Sequence, residues 1–398
     1  MYLSMSFLIL GFLFTGINFS QLMIGLDSKV SIYNAIFSFC ILMFLIYFRK
    51  IKVKFSFYFV VVSFFVLLCI IFSFVFFDSL TNKSFPLQFL RGYVLFSMFY
   101  LAVINNFFTK EDVYKLFFFS SVICAMFGFM QIVFLYLGLD PKMGVDYPTY
   151  LRFDDADSFY VLLGFPMFRV SSFLGDPNYF AFAMLPGLCV ASGWLIDGVI
   201  RKKSTAVCLV LVLLIFFLTL SRGAILGLLV FIVSYIFFES KSKSLFKKLA
   251  IVIIFSSVGL LLTMGGRSSN AQGSTNERMS IYQNGLDKVL QSPFGIGDSL
   301  VNVERSLLST HNLLLEGGLS FGYVFFILYA LVFVFYLMRS VNAKSGISYL
   351  FSLVVASMFL ELLIYPQFWM YLVLIYLKTD KHQKKMSHTP CYGKKYNQ

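Results

Sequence analysis

Apolar residues in this chain come in runs of about twenty, each closed by a short cluster of charge, and the pattern continues to Leu377. A helix needs about 20 apolar residues to cross a bilayer. The runs therefore predict spans at roughly 4–24, 31–48, 55–77, 87–108, 116–138, 179–200, 205–220, 223–238, 249–264, 313–338, 346–364 and 366–377. That is about twelve transmembrane helices in an all-α, polytopic integral membrane protein. Residues 1–26 carry no charged side chain. The run from Leu3 to Leu26 lacks a basic start and a small-residue cleavage site, so it reads as a retained helix and not a signal peptide. The stretches at 205–220, 223–238 and 366–377 are short for a span, and one of them could be re-entrant.

Most connections between these runs are short, and two are not: Leu139 to Asn178 and Gly265 to Asn312. Loops longer than about 15 residues in a compact protein are usually functional or disordered. The chain thus divides into helices over 1–138, a loop over 139–178, helices over 179–264, a large loop over 265–312, helices over 313–377 and a tail over 378–398. The larger loop opens on Gly265-Gly266-Arg267-Ser268-Ser269-Asn270 and turns helical from Asn276 to Leu290, where a short helix lying on the membrane surface is expected. No internal repeat relates the two halves, which weighs against a transporter built on inverted repeats.

Composition agrees with a membrane chain: 59% hydrophobic, 13% charged, with 52 Phe among 398 residues. Charge adds the orientation. Threading the runs through a bilayer puts about 21 of the 32 Lys and Arg on one side, in clusters such as Arg49-Lys50, Arg201-Lys202-Lys203 and the tail. By the positive-inside rule that side is cytoplasmic, with both termini on it. Only Arg49, Arg201 and Arg339 are arginines there, whereas the opposite face carries Arg152, Arg169, Arg222, Arg267, Arg278 and Arg305. Lysine inside is ordinary topology. Arginine outside is not, and its planar fork suits bidentate binding of phosphate or carboxylate. The outer face therefore reads as an anion-handling site. The formal charge of +13 belongs largely to short lysine loops facing anionic headgroups, and no basic stripe interleaved with exposed aromatics suggests nucleic acid. Cys40, Cys69, Cys124, Cys189 and Cys208 fall inside predicted helices and Cys391 in the inner tail, so no structural disulfide is expected.

His311 is the one histidine of the predicted outer face, and with Asn312 it opens the helix at 313–338. It is a general-base candidate, the plain alternative being a helix-capping or interfacial histidine. Glu316 shares a helix face with Asn312. Arg91 and Glu361 also sit near the outer ends of their helices. Ionisable groups in a membrane are costly and point to function, although Arg91 could snorkel and the glutamates could pair with outer arginines. Ser221-Arg222-Gly223 is a tight outer turn that sets one guanidinium at the surface. In the run Arg169 to Asn178, Asp176 or Asn178 caps the next helix and Pro177 suits its first turn, while Arg169 has no such structural excuse. Asp154-Asp155-Ala156-Asp157 could hold a metal, but a solvated acidic stretch is the stronger reading. No glycine loop for nucleotide phosphates is present on the inner face.

Taken together, Arg169 to Asn178, Ser221-Arg222-Gly223, Asn276-Glu277-Arg278-Met279-Ser280-Ile281-Tyr282 with Pro293-Phe294-Gly295-Ile296-Gly297, and His311-Asn312 with Gly317-Gly318 resemble the O-antigen polymerase and ligase superfamily of bacterial envelope enzymes. The blocks cover roughly 40% of the chain, from Arg169 to Tyr329, and the first 138 residues match only in hydropathy. The resemblance implies a GT-C-like glycosyltransferase of the bacterial inner membrane, without metal or other cofactor, working on the periplasmic side. Donor and acceptor would be glycans on undecaprenyl pyrophosphate, and a chain-length regulator would be a partner. It further implies that Arg169 and Arg222 bind the pyrophosphate, that His311 deprotonates the acceptor hydroxyl, and that Arg278 and Arg267 complete the anion site. Arg91, Asn312, Glu316 and Tyr282 would line the substrate site. Fixed guanidinium groups stabilise a pyrophosphate as it leaves. A polymerase is favoured over a ligase on composition, because Phe-rich, Lys-rich chains resemble serotype-specific polymerases. A polysaccharide flippase is the rival from another class, and it should cluster its ionisable residues about a midplane cavity.

Overall fold

The structure, a computed structural model, describes residues 57–76, 84–105, 109–139, 159–162, 165–171, 176–200, 202–240, 271–296, 300–303, 306–309, 312–359 and 366–379. The expected spans at 4–24, 31–48 and 249–264 lie outside the described residues, as do Asp154 to Asp157, Arg152, Arg267, Arg305, His311 and Glu361. Eleven helices are described. They are α1 (Phe57–Phe76), α2 (Ser84–Ile104), α3 (Lys110–Tyr136), α4 (Pro177–Ile196), α5 (Lys203–Leu218), α6 (Arg222–Phe238), α7 (Ala271–Gln291), α8 (Leu313–Phe321), α9 (Tyr323–Ala343), α10 (Ile347–Ser357) and α11 (Pro366–Thr379). By length and hydropathy α3, α4 and α9 can each cross a membrane alone, and shorter apolar helices accompany them. This is a multi-pass membrane protein.

The helices form two groups that share α11. One group packs α3, α4, α5, α6 and α10 together, and the other joins α1, α2, α8 and α9. Helix α11 touches α2, α3, α4, α9 and α10, and Phe368 to Leu377 are all buried. Water-driven burial is absent between helices in lipid, so close backbone approach and interhelical hydrogen bonds must hold them. Both are present. Gly187 on α4 lies against Phe117 and Ser121 of α3, and the Ser121 hydroxyl donates to the Met184 carbonyl at 2.9 Å. Trp369 of α11 sits among Phe89, Tyr93 and Phe96 of α2, at ring-centroid distances of 5.3, 5.6 and 5.8 Å.

The bundle is all-helical, as its sequence predicts, but three features differ from that prediction. First, the two long outer segments each add a small antiparallel hairpin. Strands β1 (Phe159–Leu162) and β2 (Phe165–Phe168) pair Phe159 with Phe168, and β3 (Leu300–Val303) and β4 (Ser306–Ser309) pair Leu300 with Ser309. Four-residue strands such as Phe159-Tyr160-Val161-Leu162 are too short, and too uniformly apolar, to show an alternating pattern. Second, the helix expected over 346–364 ends at Ser357.

Third, the helix expected over 313–338 is broken at Gly322, whose φ of 63° is left-handed. The segment following α7 inserts at the break. Ile296 N–H donates to the Leu319 carbonyl at 2.5 Å, and Tyr323 N–H donates to the Pro293 carbonyl at 2.8 Å. A side chain at Gly322 would collide with the Pro293 carbonyl and the Gly295 backbone, so glycine is required twice over. The 21 residues of α9 rise about 31 Å, the full hydrocarbon thickness. The 9-residue α8, capped by Asn312 and carrying Glu316, is therefore additional to the span.

The helix ends assigned to the lysine side meet at one pole. There Tyr235 donates to the Asp197 carboxylate at 2.8 Å. Glu239 accepts from Ser348 N–H at 3.0 Å and from the Ser348 hydroxyl at 2.6 Å. The Lys378 ammonium lies 5.4, 5.5 and 5.4 Å from the rings of Tyr114, Tyr235 and Tyr349. Arg339 stacks 4.1 Å over Tyr376 and donates to Thr379.

Candidate functional site

At the opposite pole the outer motifs meet around the turn between α5 and α6. Helix α5 ends at Thr219, Leu220 takes a left-handed φ of 52°, and Ser221 opens α6. A non-glycine residue in that region is uncommon, so the turn is imposed by its surroundings. Thr219 helps to impose it, because its hydroxyl donates to the Phe216 carbonyl at 2.6 Å and accepts from Ser221 N–H at 3.3 Å. Arg222 follows as the first residue of α6, exposed. The Ser221 hydroxyl beside it is fully buried with no hydrogen-bond partner. A buried, unsatisfied hydroxyl costs about 1–3 kcal/mol and invites explanation by a ligand.

Arg169 reaches this turn from the end of the first hairpin. Its Nε donates to the Thr219 carbonyl at 3.0 Å and its Nη2 to Asn178 Oδ1 at 3.3 Å. These two bonds aim the guanidinium at the turn. The strand behind it is pinned on two sides. Val170 N–H donates to the Leu218 carbonyl at 3.2 Å, and Ser171 N–H donates to Gln131 Oε1 at 3.1 Å. Gln131 is completely buried in α3. A lone amide in so apolar a helix is the sequence signal of such an anchor. Asp176 caps α4 by accepting from Asn178 and Tyr179 N–H, at 2.6 and 3.2 Å, and Pro177 takes the first turn, as the sequence predicts. Asn178 adds a role the sequence reading did not assign, the orientation of Arg169.

The third motif arrives through α10. Gly223 lies so close to Phe359 that a Cβ there would stand 2.6 Å from the phenylalanine Cβ. Next to Phe359, the Met358 carbonyl accepts from Asn312 Nδ2 at 3.2 Å. Asn312 is also the cap of α8, accepting from Leu314 and Leu315 N–H at 3.0 and 3.2 Å. Its amide thus anchors the fold at this point as well as standing where a substrate-site residue is expected. The same anchor ties the backbone that follows His311 to the Arg222 turn by way of Met358, Phe359 and Gly223. Glu316 is fully buried in the first turn of α8, where the helix N-terminus favours a carboxylate.

The remaining expected site residues are spread more widely. Arg91 lies on α2 between Phe89, whose ring is 4.7 Å from that of Phe321, and Gly92, which packs on Trp369. The backbone at Arg91 is thus level with the α8–α9 break. Arg278 and Tyr282 both belong to α7, with Tyr282 half-buried. Among the described residues no three His, Cys, Asp or Glu gather as a metal-binding group.

The helices that carry the site differ in length. Helices α5 and α6, of 16 and 17 residues, rise only about 24–26 Å, and the 11 residues of α10 only about 17 Å, against about 40 Å for the 27 residues of α3. The turn carrying Arg222 thus joins two short helices, of which α5 packs on the longer α3.

Residues 207–330 match the family model described as O-Antigen ligase. The matched stretch holds the Ser221-Arg222-Gly223 turn, α7, the His311-Asn312 junction and α8, and it leaves Arg169 outside. It covers less than a third of the chain. No curated protein matches the chain. The match supports the O-antigen ligase and polymerase superfamily and a part in surface-polysaccharide biosynthesis, and it does not divide polymerase from ligase.

Proposed function

We propose that this chain is an integral-membrane glycosyltransferase that polymerises oligosaccharide repeat units carried on undecaprenyl pyrophosphate, with its reaction at the arginine pole facing the periplasm. The observation that carries this reading is the convergence of Arg169, the Ser221-Arg222-Gly223 turn and the Asn312 anchor around the ends of α5, α6 and α10. In the proposed reaction Arg169 and Arg222 hold the donor pyrophosphate. The acceptor hydroxyl attacks the anomeric carbon and gives its proton to His311. The bond from that carbon to the pyrophosphate breaks, and the lipid pyrophosphate leaves with the electron pair. Attack opposite the leaving group inverts the anomeric centre. Two fixed guanidinium groups stabilise the charge that develops as the bond breaks, and groups of this kind are worth roughly 10²–10³ in rate each. Arg278, on α7, and Arg267 would reach the same anion from the large loop.

The family description favours a second reading, a ligase that transfers the finished glycan to a lipid A–core acceptor. Its anion site would be identical and only the acceptor would differ. A transporter finds support in the interrupted α8–α9 pair, since broken helices mark transporter sites. That break stands at the head of a full-length α9, however, and not at its middle.

The gel ladder of surface polysaccharide from a strain lacking this gene separates the three. A single band of core plus one repeat identifies a polymerase. Bare core with long lipid-linked chains accumulating identifies a ligase, and bare core without them a transporter. Restoring the gene as His311→Ala at normal protein level should leave the ladder absent. A full ladder from that variant removes His311 from the reaction.

A further inference from the structure

Helix α7 has an apolar face that the fold leaves uncovered. Ile281, Gly285 and Val289 are buried on one flank, and Val289 packs with Leu319 of α8. Gln283, Asn284, Asp287 and Gln291 are exposed along the polar half. Between these two, Met279, Leu286 and Leu290 recur at helical spacing and are 60%, 50% and 60% exposed. At 3.6 residues per turn the buried and exposed apolar positions together fill about half the circumference and the polar positions the other half. Half of the apolar arc is thus bound to the protein and half is open.

Two further observations identify what covers the open half. The strap that follows α7 is hydrogen-bonded into the α8–α9 break, with the Pro293 carbonyl accepting from Tyr323 N–H. Tyr323 is the first residue of α9, so the C-terminal end of α7 is fixed at the level where the membrane span begins. The apolar surface also runs on without a gap. From Leu290 it passes through Phe294, 50% exposed, and Tyr323 to Ile327, Leu331 and Val334, the exposed face of a span that is largely uncovered by protein. Aromatic residues at this level are the usual interface anchors.

We propose that α7 is an interfacial lipid-binding helix, lying in the headgroup layer beside α9 with Met279, Leu286, Leu290 and Phe294 set into the acyl boundary of the outer leaflet. A helix with an apolar face opposite a polar one, held at that depth, binds the interface through its buried apolar area. The consequence for the large loop is a fixed height: its helical part, Arg278 included, stays in the plane of lipid phosphates. The placement of α7 stands independently of whether the chain transfers glycans.

The test uses the full chain in phospholipid nanodiscs. Cys40, Cys208 and Cys391 are replaced by serine, while Cys69, Cys124 and Cys189 are buried and stay unlabelled. Single spin labels are placed through Leu286→Cys, Leu290→Cys, Asn284→Cys and, as a lipid-facing reference, Ile327→Cys. Collisions with oxygen, which concentrates in lipid, and with a water-soluble nickel chelate are then compared. The expected result is oxygen-dominated relaxation at 286 and 290, as at 327, with nickel-dominated relaxation at 284. Nickel access at 286 and 290 equal to that at 284 puts this face in water and overturns the proposal. Shielding from both agents shows a protein cover, another copy or a partner, and overturns it equally. Met279→Cys provides a second position on the same face should either leucine variant assemble poorly.

Discussion

The two poles of the bundle use charge in opposite ways. At the lysine pole the charged groups engage tyrosines, hydroxyls and the ends of helices. Glu239, from the end of α6, satisfies the N-terminal N–H of Ser348 in α10, a helix whose own cap residue Gly346 makes no side-chain bond. Lys378 sits among three tyrosine rings, and Arg339 lies flat on a fourth. At the arginine pole, Arg169 is instead held by a carbonyl and an amide and Arg222 is exposed. Buried polar atoms without a hydrogen bond occur at both poles, Ser221 Oγ at this one and Glu239 Oε2 and Ser340 Oγ at the other. The contacts at the first pole join helix ends to one another, and the second is where the proposed function places an anion. The difference teaches where to look for chemistry in a chain whose helices otherwise look alike. Net positive charge counts for less than what each charged side chain is held by.

The sharpest way to break this comparison is Arg222→Ala. If the arginine pole reacts, the variant should lose about 10²–10³ of its transfer rate, the usual effect of removing one preorganised donor, at unchanged protein level. An unchanged ladder would show that exposure here is incidental. Gly322→Ala acts on the mounting of α7 and not on the anion site. Both a positive φ and a backbone collision oppose it, so a fall of several degrees in the midpoint of thermal unfolding in detergent is expected. An unchanged midpoint would mean that the strap is loosely seated.

At the lysine pole, Glu239→Ala strips two hydrogen bonds from the start of α10. About 1–3 kcal/mol of stability should be lost, while turnover per folded molecule stays near the wild-type value. A large drop in turnover without a loss of stability would erase the distinction between the poles. The mildest variant is Asn178→Ala. It removes one of the bonds that orient Arg169, so activity should fall roughly 3–10-fold, in keeping with about 1 kcal/mol for a single hydrogen bond. The Asp176 cap of α4 should remain, so circular dichroism should not change.

Much of this division was legible in the sequence because it rests on two periodicities. Apolar runs place helices, and the sorting of lysine from arginine predicts the ends that meet: Asp197, Glu239, Arg339 and Lys378 do gather at one pole, and Arg169, Arg222 and Asn312 belong to the other. Helix starts with a distinct chemical signature, such as Asp176-Pro177, were legible to the residue. What escaped depends on main-chain geometry, to which hydropathy is blind. The apolar run across Gly322 gives no sign of its positive φ, and Pro293-Phe294-Gly295-Ile296 looks like loop although its backbone groups complete a helix break. The bonds by which Asn312 caps α8 and holds the Met358 carbonyl are likewise invisible in a list of residues. Gln131 is legible as a polar residue inside a 27-residue apolar helix, while its bond to Ser171 N–H is not.

The most direct test of the two-pole account is to map where a lipid-linked donor binds. A pyrophosphate-linked analogue carrying a photoreactive group beside the phosphates would be cross-linked to the full chain in nanodiscs, and the modified peptides identified by mass spectrometry. The account predicts label on the segments 169–178, 219–223 and 311–316, diminished by Arg169→Ala and by Arg222→Ala. Label concentrated instead on the segments 197–203, 239–248 or 339–348 would place the anion at the lysine pole and contradict it.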